Sequence, residues 1–262
     1  MLKEIVIAIQ SYFQAHRFIV KHRLWKWILI PGIIYATLFC SGFYFFFKSS
    51  NSAIDYIFLH TGLKHWMQAL QSGWLSFVFI LGLVILHMVL ALFYFSLFKY
   101  FFLIIGSPLF AYLSEKTEAL LEGKDYPFNF QQLIKDIIRS IKLSARNALW
   151  QTVYTVSILL LAFIPLIGII TPLMALSTEC FYLGFSMLDY SCERNNLSSS
   201  ESIVFINKHK GLAVGNGIVF YLMHIVFVVG WILAPSYSII AATLSLYNSD
   251  KITDINLQKI TL

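Results

Sequence analysis

Three polar side chains lie deep in long apolar stretches and are the first candidates for chemistry: His87, Glu179 and His224. Holding such a group in lipid is costly. It is kept either on the path of a substrate or as a bundle-facing residue with a hydrogen-bond partner. No second ligand stands at helical spacing from His87 or His224, so the sequence gives no support to a metal site. Nothing in the chain matches GxSxG, HExxH or a Walker A loop, so neither an enzyme nor a cofactor is expected. Glu115 with Glu118 and Asp189 with Glu193 have helical spacing, but both pairs fall in polar surroundings and read as solvated faces. Cys40, Cys180 and Cys192 are far apart and read as isolated thiols.

A second chemistry is anion binding. Lys21, His22, Arg23 and Lys26 precede the first apolar run, and two later apolar stretches are broken by Gly and Pro. The N-terminus of a half-helix carries exposed N–H groups and partial positive charge, so it can hold an anion without a charged side chain. Discontinuous helices are where transporters often place substrates.

These residues must be positioned by membrane helices. The chain is 58% hydrophobic and 12% charged, far below the quarter or so of charged residues in a soluble domain. The net charge of +6 therefore reads as topology signal and contact with anionic lipid, not as a nucleic-acid surface. Residues 1–26 form an amphipathic interfacial helix, with Lys3, Gln10, Gln14, Arg17 and Lys21 opposite Leu2, Ile5, Val6, Ile9, Tyr12, Phe13 and Val20. Residues 27–47 are a first span, with Pro31 in its first turns, and 48–65 a polar connector. Residues 66–106 form a second span, ended by Gly106-Ser107-Pro108. Cytoplasmic helices occupy 109–147, with Gly123 as a C-terminal cap, Asp125-Tyr126-Pro127 as a turn and Asn129 with Gln132 as a capping box.

Two charge-poor stretches remain. Residues 148–188 hold no Lys or Arg and one acid, and are interrupted around Pro165, Gly168 and Pro172. Residues 211–247 hold no Asp, Glu, Lys or Arg and are interrupted by Gly230 and Pro235. Sixteen of the 19 Lys and Arg lie in 1–26, 109–147, 189–210 and 249–262. Basic loops favour the cytoplasm, so all four segments belong on that side, and each broken stretch must return to the side it entered from. Each is a helical hairpin. The arms 148–163 and 236–247 are only 16 and 12 residues long, about 24 and 18 Å as helix, so hairpins that penetrate partway are expected.

Four segments, in order, resemble a known family. Ile105-Gly106-Ser107-Pro108-Leu109-Phe110, with Ser114-Glu115-Lys116-Thr117-Glu118 and Gly123, resembles the "APFN…AEKVE…G" segment of the CysZ/etoposide-induced-protein family. Phe163-Ile164-Pro165-Leu166-Ile167-Gly168 is similar to its "FIPGIG" hairpin tip, and Leu188-Asp189-Tyr190 to its "CDYP". Pro235 with Ala241-Ala242-Thr243-Leu244 is similar to its "MPVAVCGATAM" end. The resemblance implies a bacterial inner-membrane protein with two long spanning helices, two hemi-penetrating hairpins, cytoplasmic termini and homo-oligomeric assembly. It also implies passive uptake of sulfate or a similar small oxyanion. The family's sulfate motif, Gly-Leu/Ile-Arg, corresponds here to Arg23, Leu24 and Trp25, with Lys26 next, so the motif's glycine and arginine are both replaced. Arg23 or Lys26 can restore the positive charge, while the close backbone approach that glycine permits is expected to be lost. Phe227 stands where the family has a proline in the second hairpin tip.

The sequence therefore reads as an all-α integral membrane protein, one domain over 1–262. Its expected partners are the lipid bilayer, a small anion and copies of itself. The alternative of a different class is a non-transporting scaffold whose helices 109–147 dock a partner.

Overall fold

The computed structural model describes residues 1–60, 73–123, 130–161, 169–195, 197–226 and 228–248. Pro165 and Gly168, Phe227, the turn and capping box at 125–129, Lys64 and the tail with Lys251 and Lys259 lie outside the described residues. Among the described residues there are eight helices and no strand. In chain order they are α1 (Leu2–His22), α2 (Trp25–His60), α3 (Gly73–Glu122), α4 (Phe130–Leu161), α5 (Thr171–Arg194), α6 (Ser199–Lys208), α7 (Lys210–His224) and α8 (Val229–Asn248). Trp25–Tyr56 and Val229–Tyr247 are long and apolar enough to cross a membrane. The fold class is that of an all-α membrane protein.

Two helices run past the ends expected for them. The connector from Lys48 to His60 is helical and extends α2 to 36 residues, about 54 Å. The Gly106-Ser107-Pro108 sequence does not end the second long helix; α3 continues through it for 50 residues. Proline removes the bond to the carbonyl four residues back, here that of Ile104. Ser107 supplies a replacement, its hydroxyl donating to the Ile104 carbonyl at 2.9 Å. Gly106 makes room for Phe110, whose ring lies 2.5 Å from where a Cβ would stand. The helix does end at Gly123, with φ +67, as a glycine cap requires.

The chain divides into two compact units. One, Ala36–Phe102, is an antiparallel pair formed by the distal parts of α2 and α3. Its interior is aromatic: Phe39 and Phe43 pack on Tyr94, and Phe39 meets Phe98 edge to face. Tyr94 donates its hydroxyl to the Phe39 carbonyl at 2.8 Å. A Cβ at Gly42 would lie 2.7 Å from that same hydroxyl oxygen, so glycine lets the pair close there.

The other unit, Met1–Tyr35 with Leu103–Leu262, is built around α7. One side of α7 meets α1, where Gly215 leaves space for Ala8 and Ile5. The opposite side meets α5 in a reciprocal contact: a Cβ at Gly217 would stand 2.0 Å from the Cys180 carbonyl oxygen, and one at Gly184 1.9 Å from that of Ala213. Small residues four apart on both helices allow such backbone contact, which is how helices associate where lipid removes the hydrophobic drive. α1 is accordingly more than a surface helix. Ala8, Tyr12, Ala15 and Ile19 are buried against the bundle, while Leu2, Val6, Phe13 and Val20 stay exposed as an apolar stripe.

The second hairpin turns earlier than expected. α7 ends at His224 and α8 begins at Val229, with Pro235 inside α8. The returning arm is therefore 20 residues, not 12. Gly230 permits the turn, since a Cβ there would lie 1.8 Å from the Met223 carbonyl oxygen. Val228, with φ 62, reverses the chain.

Candidate anion site and the polar groups of the hairpins

Arg23 and Leu24 form the turn between α1 and α2, and Trp25 and Lys26 open α2. Arg23 has φ 54 and ψ 43, the left-handed region. The Leu24 N–H donates to the Ile19 carbonyl at 3.1 Å and the Arg23 N–H to that of Val20 at 3.4 Å. Together these bonds make a Schellman cap, a motif that normally holds glycine at its left-handed position. Arg23 thus adopts the left-handed conformation that such a cap usually reserves for glycine, while carrying a Cβ that glycine lacks. A non-glycine residue there costs roughly 1 kcal/mol. Arg23→Gly should accordingly raise the thermal midpoint of the purified protein by a few degrees. A fall would show that the arginine side chain, rather than the backbone, holds the turn.

The four residues divide by environment. Leu24 is buried and locks the turn into the bundle, while Arg23 and Lys26 are exposed. Trp25, 38% exposed, meets His16 edge to face at 6.4 Å. The His16 Nδ1 lies 2.8 Å from the Tyr237 hydroxyl, which ties the turn to α8. In the same first turn of α2, Trp27 packs on Tyr112, and the Lys116 ammonium sits 5.4 Å from the Trp27 ring centre. Trp25 and Lys26 are in the first turn of α2, a helix end that carries partial positive charge, and the Trp27 N–H of that turn donates to the Leu24 carbonyl at 2.9 Å. The turn thus presents two cations beside a helix N-terminus.

Glu179 and His224 are both joined to other helices. The Glu179 carboxylate accepts from the Gln151 amide on α4 and from the Tyr221 hydroxyl on α7, the latter at 2.9 Å. It therefore bridges the two hairpins. One turn along α7, His224 Nε2 lies 3.0 Å from the Tyr35 hydroxyl of α2, and its ring stacks on Phe220 at 4.4 Å. His87 belongs to the other unit, where its Nε2 lies 2.9 Å from Asn51 Oδ1.

The carboxylate pairs read as solvated are built into the fold instead. Asp189 and Glu193 are 4% and 8% exposed. Arg139 of α4 donates to Asp189 at 2.7 Å and lies 3.3 Å from Glu193. It also donates to the Leu197 carbonyl and, at 2.7 Å, to Ser202. Burial pushes the Asp189 carboxyl above its ordinary value, and Arg139 opposes that rise. Burial also draws the guanidinium down, but the two carboxylates outweigh it and hold Arg139 above its usual value. Ser198, which caps α6 with Glu201, fixes the helix that presents Ser202. Glu118 is 4% exposed and accepts from Asn195 at 3.0 Å, and Glu115 pairs with Arg194 at 2.9 Å. Each of these contacts joins a residue before 148 to one after 188, brought together by the folding of the first hairpin. Burial pushes the Cys192 thiol well up, which keeps it unreactive.

Sequence comparison places these features in a family. Residues 11–235 match the family described as Sulfate transporter CysZ/Etoposide-induced protein 2.4. Among similar proteins, a Sulfate transporter CysZ of Pseudomonas syringae pv. tomato is 26% identical over 219 residues, 83% of this chain and 82% of that one. One from Pseudomonas aeruginosa strain LESB58 is 25% identical over 187 residues, 69% of this chain and 75% of the relative. One from Pectobacterium atrosepticum is 25% identical over 204 residues, 77% and 70% of the two chains. The family is one of transporters rather than enzymes. With an all-helical membrane fold and a match over most of its length, the chain belongs to the CysZ/etoposide-induced protein 2.4 family.

Proposed function

We propose that this protein mediates passive uptake of sulfate, or a similar small oxyanion, across the bacterial inner membrane. The observation that carries the reading is the α1–α2 turn, where exposed Arg23 and Lys26 flank the N-terminus of a helix long enough to span the bilayer. The left-handed backbone at Arg23, a conformation that glycine adopts most easily, supports the correspondence of this turn with the family's Gly-Leu/Ile-Arg motif. The substrate class comes from the family and from relatives named as sulfate transporters. In this reading the whole chain works as one membrane domain, both termini are cytoplasmic, and the hairpins enter from that side. Copies of the chain assemble into a homo-oligomer, a role suited to the exposed isoleucines 134, 138 and 141 on α4.

Direct binding tests the reading. Purified protein should bind sulfate, with phosphate and sulfite as competitors that rank its selectivity, and Arg23→Ala/Lys26→Ala should weaken sulfate binding by tenfold or more, as loss of two charge-assisted contacts requires. Equal binding by the wild type and the double variant would remove the turn from the site. The scaffold reading predicts a partner that co-purifies with the chain and is lost on deleting 109–147, with no sulfate binding at all.

A further inference from the structure

A cavity of about 450 Å³ opens beside the first hairpin, away from the α1–α2 turn in sequence and built from other residues. Arg146, Lys210 and Asn207 form its polar end, and Trp150, Tyr154 and Phe181 are among its aromatic walls. A second cavity, of about 500 Å³, shares Tyr154, Ser177 and Thr178 with the first and continues between Ile158, Leu161 and Leu173. Its remaining lining is almost wholly apolar. The two make a groove with a cationic head and a greasy tail.

The place of the two cations decides what fits. Arg146 stands two residues before the charge-poor stretch 148–188, and Lys210 immediately precedes the stretch 211–247. Both line this one cavity, and each stands at the sequence boundary where a charge-poor stretch begins. Trp150 and Tyr154 follow Arg146 at successive helical turns, the residue types that favour the headgroup layer. From Tyr154 to Leu161 the groove then follows α4 for about 10 Å into the apolar part of the hairpin. A free inorganic anion would use the cationic end alone and leave the apolar continuation empty. A zwitterionic lipid would fill the continuation but gain less from two cations. The geometry points to a bound anionic phospholipid, its phosphate held by Arg146 and Lys210 and one acyl chain lying between α4 and α5. Because α4, α5 and α7 all line it, such a lipid would brace the two hairpins against each other.

Native mass spectrometry of the purified protein in a neutral detergent tests this, with phosphatidylglycerol, phosphatidylcholine and inorganic phosphate as probes. Phosphatidylglycerol should bind at least tenfold more tightly than phosphatidylcholine, and Arg146→Gln/Lys210→Gln should remove that preference. A charge-matched control, Lys135→Gln/Lys142→Gln, alters exposed cations of the same helix outside the cavity and should leave binding unchanged. Ser177→Trp fills the groove with the cations intact and should also displace the lipid, which keeps the test open if the double variant fails to fold. Equal binding of the two lipids, equal loss in the control pair, or displacement of phosphatidylglycerol by millimolar inorganic phosphate would each overturn the proposal. The site does not depend on the transport reading, since sulfate flux enters none of these outcomes.

Discussion

Arg139→Met should cost about 3–5 kcal/mol of stability, because it strands two buried carboxylates without their counter-charge. Asp189 and Glu193 are nearly inaccessible to water, and the guanidinium is what both of them face. The same side chain also bonds the Leu197 carbonyl and the Ser202 hydroxyl, so its loss uncouples α6 from the end of the hairpin. Adding Asp189→Asn and Glu193→Gln should recover much of the loss, because the desolvation cost of an unpaired charge exceeds that of an unpaired amide. Unfolding followed by intrinsic fluorescence in detergent reads both effects. If the triple variant is no more stable than Arg139→Met, the carboxylates are not what the arginine stabilises.

A second large effect is expected at the α5–α7 contact. Valine at Gly184 or Gly217 would place a Cβ within 2.0 Å of a backbone carbonyl oxygen, and a backbone cannot step aside as a flexible side chain can. The helices must separate, which undoes the most extensive helix–helix interface among the described residues of this unit. Overpacking of this kind costs about 1–3 kcal/mol and often more between backbones. Each single variant should shift strongly to aggregates on size-exclusion chromatography. The double Gly184→Ala/Gly217→Ala should cost less than the sum of its parts, because one separation accommodates both methyl groups. Strict additivity would mean that the two glycines do not belong to one contact.

Much of this fold was legible from charge and hydropathy. The helical character of both apolar stretches and the glycine cap at Gly123 followed from local rules, whereas the boundary drawn at 147/148 falls inside the single helix α4. What was missed depends on contacts between distant residues. Gly106-Ser107-Pro108 resembles a stop signal, but the Ser107 hydroxyl takes over the carbonyl that Pro108 leaves unpaired. Gly230 and Pro235 were together read as the hairpin break; the close approach at Gly230 belongs to the turn, whereas Pro235 is accommodated within α8. Asp189 and Glu193 looked solvated because their partner lies 50 residues upstream, visible only once the hairpin is folded. At the candidate site, the four turn residues were found by family spacing, but spacing cannot report a dihedral angle. Only the structure shows Arg23 in glycine's conformation. Glu179 was singled out for its charge, while Gln151 and Tyr221, which hold it, carry no signal stronger than their polarity.

We propose that a small oxyanion passes through this protein by way of the α1–α2 turn. Flux of radiolabelled sulfate into proteoliposomes tests it most directly, with Arg23→Ala/Lys26→Ala alongside. Wild-type flux should exceed that of empty liposomes and need no energy source, and the double variant should lose most of it while still inserting and folding. Wild-type flux no greater than that of empty liposomes would rule out such passage.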